Sequence, residues 1–100
     1  MKRVLIVCGA GASSGFMAGN IRKAAQSRNV DLEITARSDS MIEDYIEDVD
    51  LVLAGPHLDY MMDDLIELAK PYEVPIKLIP REAYGKLDGN AVLDFILENL

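Results

Sequence analysis

The spacing of apolar positions changes several times along the chain, and each change marks an element. Residues 2–8, KRVLIVC, pass from two basic residues into an unbroken aliphatic run, the pattern of a strand covered on both faces and therefore central in a sheet. Glycines and small residues follow at 9–15, a turn. Ser13 or Ser14 then caps a predicted helix running through Arg28, with Met17, Ile21, Ala24 and Ala25 at helical spacing on its inner side. In VDLEITARS the alternation is strict. Val30, Leu32, Ile34 and Ala36 fall on one face and Asp31, Glu33, Thr35 and Arg37 on the other, as in a half-covered edge strand.

Ser40 and Glu43 have the spacing of a capping box, which predicts a short helix with Ile42, Tyr45 and Ile46 facing inward. DLVLAG, residues 50–55, reads as a second buried strand stopped by Gly55 and Pro56. HLDYMMDDLIELAK places Leu58, Met61, Met62, Leu65 and Ala69 at helical intervals, and Pro71 ends the run. Residues 74–79, VPIKLI, give a fourth strand, with Pro75 tolerated near its start. PREAYGKLDG reads as a loop, and residues 90–100 as a last helix with Val92, Leu93, Ile96, Leu97 and Leu100 on a broad apolar stripe. The order β-α-β-α-β-α-β-loop-α implies an α/β fold with a parallel sheet and helices on both faces, because parallel neighbours require crossover connections. Ligands in such open sheets gather beyond the carboxyl ends of the strands. Cys8 sits at one of those ends.

Composition removes several classes of function. A chain of 100 residues, half of them apolar, is expected to form one domain over 1–100. With 17 acidic against 10 basic side chains the net charge is −7, so nucleic acid is repelled and is not expected as a partner. The longest apolar runs fall far below the roughly 20 residues of a bilayer span, and the stretch after Lys2 and Arg3 is too short for a signal segment, so no transmembrane segment is expected. One cysteine makes no internal disulfide, which fits a reducing compartment.

The chemistry then rests on VCGAGASSG, residues 7–15. Small residues at 9–13 allow backbone N–H groups to converge, and the following helix adds its positive pole, together an anion nest. A Cys8 thiolate in such a nest is stabilised and nucleophilic at neutral pH, and the same donors cradle a phosphoryl group attached to sulfur. Ser13 and Ser14 hydroxyls add donors. The plainer alternative is a small buried residue finishing a strand, with glycines serving only the turn. Competing motifs fail residue by residue. A P-loop needs a lysine after its second glycine, and none lies between Lys2 and Lys23. Gly9, Gly11 and Gly15 miss the dinucleotide spacing. Low-molecular-weight tyrosine phosphatases carry an arginine six residues after the cysteine, where this chain has Ser14, so phosphoester hydrolysis lacks its guanidinium fork. A thioredoxin-type role lacks its second cysteine, and a receiver domain needs an acidic residue where the third strand ends in Ala54 and Gly55.

Three blocks, VLIVCGAGASSG at the start, LVLAGPHLDYM from Leu51 to Met61 and YGKLDG from Tyr84 to Gly89, resemble in order and spacing the cytoplasmic IIB component of the lactose, cellobiose and chitobiose branch of the bacterial sugar phosphotransferase system. The resemblance spans essentially the whole chain. It implies a four-stranded parallel sheet of order 2-1-3-4, a topology similar to that of low-molecular-weight tyrosine phosphatases. It also implies a protein-Npi-phosphohistidine–sugar phosphotransferase that takes phosphate from a phosphohistidine on the IIA protein and passes it to a β-linked disaccharide, such as cellobiose, chitobiose or lactose, bound in the membrane IIC permease. By match, Cys8 is the nucleophile, Gly9, Ala10, Gly11, Ala12, Ser13 and Ser14 form the phosphate loop, and neither metal nor cofactor is expected. The implied location is cytoplasmic, at the inner membrane face through IIC. His57, the only histidine, reads as a helix-start residue rather than a second phosphate carrier, since related sequences commonly have an uncharged amide there. Tyr84 is expected either near the loop or in the core. The acidic run 41–50 reads as a solvated helix face. The readings of another class are a non-catalytic module that holds an anion, and a phosphatase-like enzyme.

Overall fold

The computed structural model of the chain describes residues 2–8 and 12–100, with the side chains of residues 12–14 outside the description. Four strands, β1 (Lys2–Cys8), β2 (Leu32–Ser38), β3 (Leu51–Ala54) and β4 (Ile76–Leu78), form one parallel sheet in the order β2-β1-β3-β4. The central place expected for β1 follows from its side chains. Val4 to Cys8 are all fully buried, and β1 pairs on one side with β2, Cys8 opposite Ser38, and on the other with β3, Val7 opposite Ala54.

The pleat divides β1 between two cores. Val4 and Ile6, with Leu51, Leu53, Ile34 and Ile79, pack under α1 (Ala12–Ser27) and α5 (Gly89–Asn99) through Met17, Ala18, Ile21, Val92, Leu93 and Ile96. Leu5 and Val7, with Val52, Ala54 and Ile76, pack on the opposite face under α2 (Ile42–Tyr45), α3 (Met62–Ala69) and the 3₁₀ segments Ile46–Asp48 and Pro56–Met61, through Ile42, Ile46, Leu58, Leu65 and Ala69. Burial of the large aliphatic side chains in each core, at about 1.5–3 kcal/mol apiece, supplies the main force holding helices to sheet. The sheet's edge bonds run beyond β4 as labelled: Val52 N–H donates to the Pro75 carbonyl at 3.0 Å and Ile79 N–H to the Ala54 carbonyl at 2.9 Å. Pro75 thus sits where only an acceptor is used, as its position near the strand start requires.

Several local expectations change. Helix α1 begins at Ala12, so Ser13 and Ser14 lie inside its first turn rather than preceding it as caps; alanine, the strongest helix former, extends the helix backward. The Ser40–Glu43 capping box does not form. Ser40 lies in a 3₁₀ turn, Asp39–Met41, its hydroxyl is 2.8 Å from that of Ser38, and Met41 precedes α2 without a side-chain cap. The helix expected from His57 opens instead as a 3₁₀ segment, Pro56–Met61, closed by Leu58 N–H to the Gly55 carbonyl at 2.9 Å, and becomes α-helical at Met62. In the stretch read as a loop, Arg81–Gly85 forms a short helix, α4. Leu97 and Leu100 are exposed rather than part of the α5 core face. The acidic side chains Glu43, Asp44, Glu47 and Asp48 are exposed, as expected.

The connector from α4 to α5 explains the block YGKLDG. Leu87 adopts a left-handed conformation, φ 51°, and its carbonyl accepts from the Asn20 side-chain amide at 2.9 Å. Asp88 caps α5 by accepting from Ala91 N–H at 3.1 Å. Gly89 packs directly on the Asn20 backbone, where a Cβ would run into the Asn20 carbonyl. Gly89→Ala therefore has to push α5 away from α1, and should lower stability by about 1–3 kcal/mol in urea unfolding monitored by circular dichroism.

Candidate phosphoryl site at the end of the central strand

Cys8 ends β1 at the carboxyl edge of the sheet and has no exposed surface. Even-numbered residues of β1 face α1 and α5, so Cys8 continues that face. Gly9, Ala10 and Gly11 lie outside the described residues. Ala12, Ser13 and Ser14 form the first turn of α1, whose backbone N–H groups have no partner within the helix and whose dipole end is positive.

The neighbouring strand ends in step with Cys8. Gly55 N–H donates to the Val7 carbonyl at 3.0 Å, carrying the β1–β3 pairing one residue past Ala54. Gly55 is buried. The position a Cβ would take there lies 3.5 Å from the Cys8 Cβ, 2.6 Å from His57 Cε1 and 3.0 Å from His57 Nδ1. The missing side chain of Gly55 is therefore what lets the His57 ring fold back beside Cys8. Tyr84, from α4, is half-buried against the α1–α5 core and meets the His57 ring, with centroids 5.9 Å apart and planes inclined by 58°. Arg81, also on α4, reaches the Pro56 carbonyl at 3.4 Å and pairs with Asp59 at 3.3 Å, fixing α4 against the segment that carries His57.

The expectation that Gly55 and Pro56 end the third strand therefore holds, and Tyr84 answers to its core reading; its expected place near the loop falls on residues outside the description. His57 does lie in the turn that leads into α3. What the sequence reading missed is that its ring turns back toward Cys8, and the available signal was a glycine two residues before the chain's only histidine at a strand end. Phe16, 70% exposed in α1, and Tyr60, 79% exposed after β3, stand on segments leaving the same end of the sheet.

Comparison with known proteins bears on the whole of this arrangement. The family described as "PTS system, Lactose/Cellobiose specific IIB subunit" matches residues 3–95. The chain belongs to that family. It is similar to the oligo-beta-mannoside-specific EIIB component of Bacillus subtilis, 29% identical over 89% of this chain and 86% of the relative. It is likewise 29% identical to the lactose-specific EIICB component of Lacticaseibacillus casei, over 97% of this chain but only 17% of that longer protein. Among solved structures, the cellobiose-specific IIB protein of Borrelia burgdorferi is 31% identical with a TM-score of 0.79, covering 97% of this chain and 89% of that one. The lactose-specific IIB domain of Streptococcus pneumoniae shares the fold at a TM-score of 0.88 and 20% identity, covering 97% and 95%. This IIB chain thus has the fold class and phosphotransferase role that the sequence implied. Among the described residues no helix is long and apolar enough to cross a membrane.

A methyl group at Gly55 would displace the end of the His57 side chain, which has solvent to move into. Gly55→Ala should therefore leave the fold intact, while abolishing nuclear Overhauser contacts between the His57 and Tyr84 rings; their persistence would show that the ring is held by something else.

Proposed function

We propose that this IIB chain, with residues 1–100 acting as one domain, carries a phosphoryl group on Cys8 between a phosphohistidine of a IIA protein and a sugar bound in a membrane IIC permease. The observation that carries this reading is the position of Cys8: it ends the central parallel strand immediately ahead of the amino end of α1, in a chain of the IIB family. In the first step the Cys8 thiolate attacks phosphorus in line, the S–P bond forms as the N–P bond of phosphohistidine breaks, and the histidine leaves as neutral imidazole after taking up a proton. In the second, a sugar hydroxyl attacks the same phosphorus, the O–P bond replaces the S–P bond, and Cys8 leaves as thiolate while the hydroxyl proton is released. Both steps gather negative charge on the equatorial oxygens, which amide donors in the segment Gly9 to Ser14 and the positive pole of α1 favour.

The reaction class is that of a protein-Npi-phosphohistidine–sugar phosphotransferase. The IIC partner is supported by the Lacticaseibacillus casei relative, which is an EIICB component. Relatives named for oligo-β-mannoside, lactose and cellobiose support a β-linked oligosaccharide as the sugar class. The work of such a carrier belongs at the cytoplasmic face of the membrane, where IIC presents its sugar. Because Cys8 is fully covered in the chain by itself, Sγ has to be uncovered when the donor docks.

The test is to incubate the protein with phosphoenolpyruvate, the general phosphotransferase components and a IIA protein, and to locate phosphate by mass spectrometry. One phosphate on Cys8, labile to iodine and absent from Cys8→Ser, is the expected result. Label retained in Cys8→Ser, or hydrolysis of an aryl phosphate in place of a stable phosphothiol, would reject the carrier reading. Arginine at position 14 brings back the fork that hydrolysis uses. Ser14→Arg should shorten the lifetime of the phosphothiol, measured as release of inorganic phosphate from the purified phosphoprotein.

A further inference from the structure

From Val4 to Ile21 the chain has no charged or titratable side chain except Cys8 itself. A phosphoryl group on that cysteine would therefore carry its negative charge into a protein of net charge −7 with no cation from the buried part of its strand, the turn or the helix start, Lys2 and Arg3 standing exposed at the far end of β1. Amide dipoles compensate only part of such a charge. The remaining compensation has to come from the elements packed beside β1.

The neighbouring segments offer few candidates. On the β2 side, Ser38 stands opposite Cys8 and Asp39 follows it, while Arg37, opposite Val7, is held by the Tyr45 hydroxyl at 2.8 Å and the Ala36 carbonyl at 2.7 Å, with Tyr45 packed on the other face of the sheet. The segment after β3 carries His57, Asp59 and Tyr60, and α4 carries Arg81, Glu82 and Tyr84. Of these, Arg81 is engaged by Asp59 and the Pro56 carbonyl, Glu82 pairs with Lys86 at 3.2 Å, and Tyr60 is exposed. His57 differs from all of them. Its ring edge and the Cys8 Cβ both lie within 3.5 Å of the single point above Gly55, and the Tyr84 ring braces it from the side. Gly55 leaves the space, His57 occupies it, and Tyr84 limits where the ring can go.

We infer that His57 is the cation for the phosphoryl group on Cys8, its protonated imidazole donating a hydrogen bond to a phosphoryl oxygen from the space that Gly55 leaves open. His57 does not itself accept phosphate. The inference rests on the carrier reading above, and it adds a residue that the turn and the helix start do not contain. Histidine is suited to the task because its charge changes within the physiological range and it holds an anion by one donor at a time, unlike the bidentate fork of arginine. An acceptor sugar can then displace the sulfur without first breaking a two-point clamp.

The phosphoryl group itself reports the charge beside it. A neighbouring cation favours the dianion, so it lowers the pH at which the second proton leaves. The experiment is a phosphorus NMR titration of the phosphorylated protein in three forms: wild type, His57→Gln and Arg81→Gln. The expected result is a midpoint about one pH unit lower in wild type than in His57→Gln, with Arg81→Gln, which loosens α4 but removes no charge from beside Cys8, moving it by less than His57→Gln, and the difference shrinking as salt is raised. Equal midpoints in wild type and His57→Gln, with phosphate on Cys8 in both, overturn this inference and leave the carrier reading standing. A midpoint raised by Arg81→Gln and not by His57→Gln also overturns it. Absence of phosphate on Cys8 in the wild type overturns both.

Discussion

Everything at the carboxyl edge of this sheet follows from one constraint: β1 is hydrogen-bonded on both sides and covered on both faces. The covered part of such a strand, Val4 to Cys8, tolerates no charge, and the helix it leads into buries its own first apolar face under the same sheet, through Met17, Ala18 and Ile21. The result is a long uncharged stretch with a thiol in the middle. Such a stretch is good at presenting main-chain donors and poor at supplying counter-charge. Backbone amides and the helix pole come with the fold, whereas any full positive charge has to be brought by a neighbour in space. Gly55 at the end of β3 makes room for that neighbour. A larger residue there would fill the gap beside Cys8 and leave His57 in solvent.

The second consequence runs through α1. Asn20 holds the Leu87 carbonyl with its side chain and receives Gly89 against its backbone, so the connector between α4 and α5 is fastened to the helix that begins beside Cys8. Three residues before Leu87 stands Tyr84, whose ring meets His57. The positions of the imidazole and of the helix start are thus both referred to α1. A left-handed Leu87 is strained for a branched side chain, and the Asn20 amide together with the Asp88 cap is what holds the chain in that conformation. The family block YGKLDG consequently records packing of the connector more than chemistry.

How much of this was legible in the sequence depended on how far apart the interacting residues lie. Element order, the central place of β1 and the half-covered character of β2 were readable because periodicity of apolar residues is a local signal. So was Cys8 at a strand end. The start of α1 was misread because serine hydroxyls suit both a cap and a first turn, and the choice was made by Ala12. Ser40 was misread because its hydroxyl found Ser38 instead of the helix. The stripe on α5 overran because Leu97 and Leu100 repeat the apolar period, while the face that packs is that of Val92, Leu93 and Ile96. The five residues of α4 carry too little periodicity to announce a helix, and its role comes from contacts with Pro56, His57 and Asp59, more than 20 residues away in sequence. The approach of His57 to Cys8 is a contact between two strand ends, invisible to any pattern read along one segment. The three recognised blocks supplied what periodicity did not, by placing LVLAGPHLDYM and the cysteine turn in one family.

The fold alone does not decide between carrying a phosphoryl group and hydrolysing one, since sheets of this topology serve unrelated chemistry. What distinguishes the two tasks is the strength with which the site holds the transition state against the bound intermediate. A guanidinium contributed by the loop grips equatorial oxygens at two points in every state of the reaction and leaves water as the available acceptor. At position 14 this chain has serine, and the cation inferred for the site, His57, stands instead on a separate segment, in an exposed side chain whose ring meets that of Tyr84. A charge placed there follows the departing group more loosely and is itself displaceable by a partner that docks over the same edge. On the carrier reading, and with His57 as its cation, the same cysteine turn becomes a relay rather than a hydrolase because its counter-charge has been moved from the loop to the segment that follows the neighbouring strand.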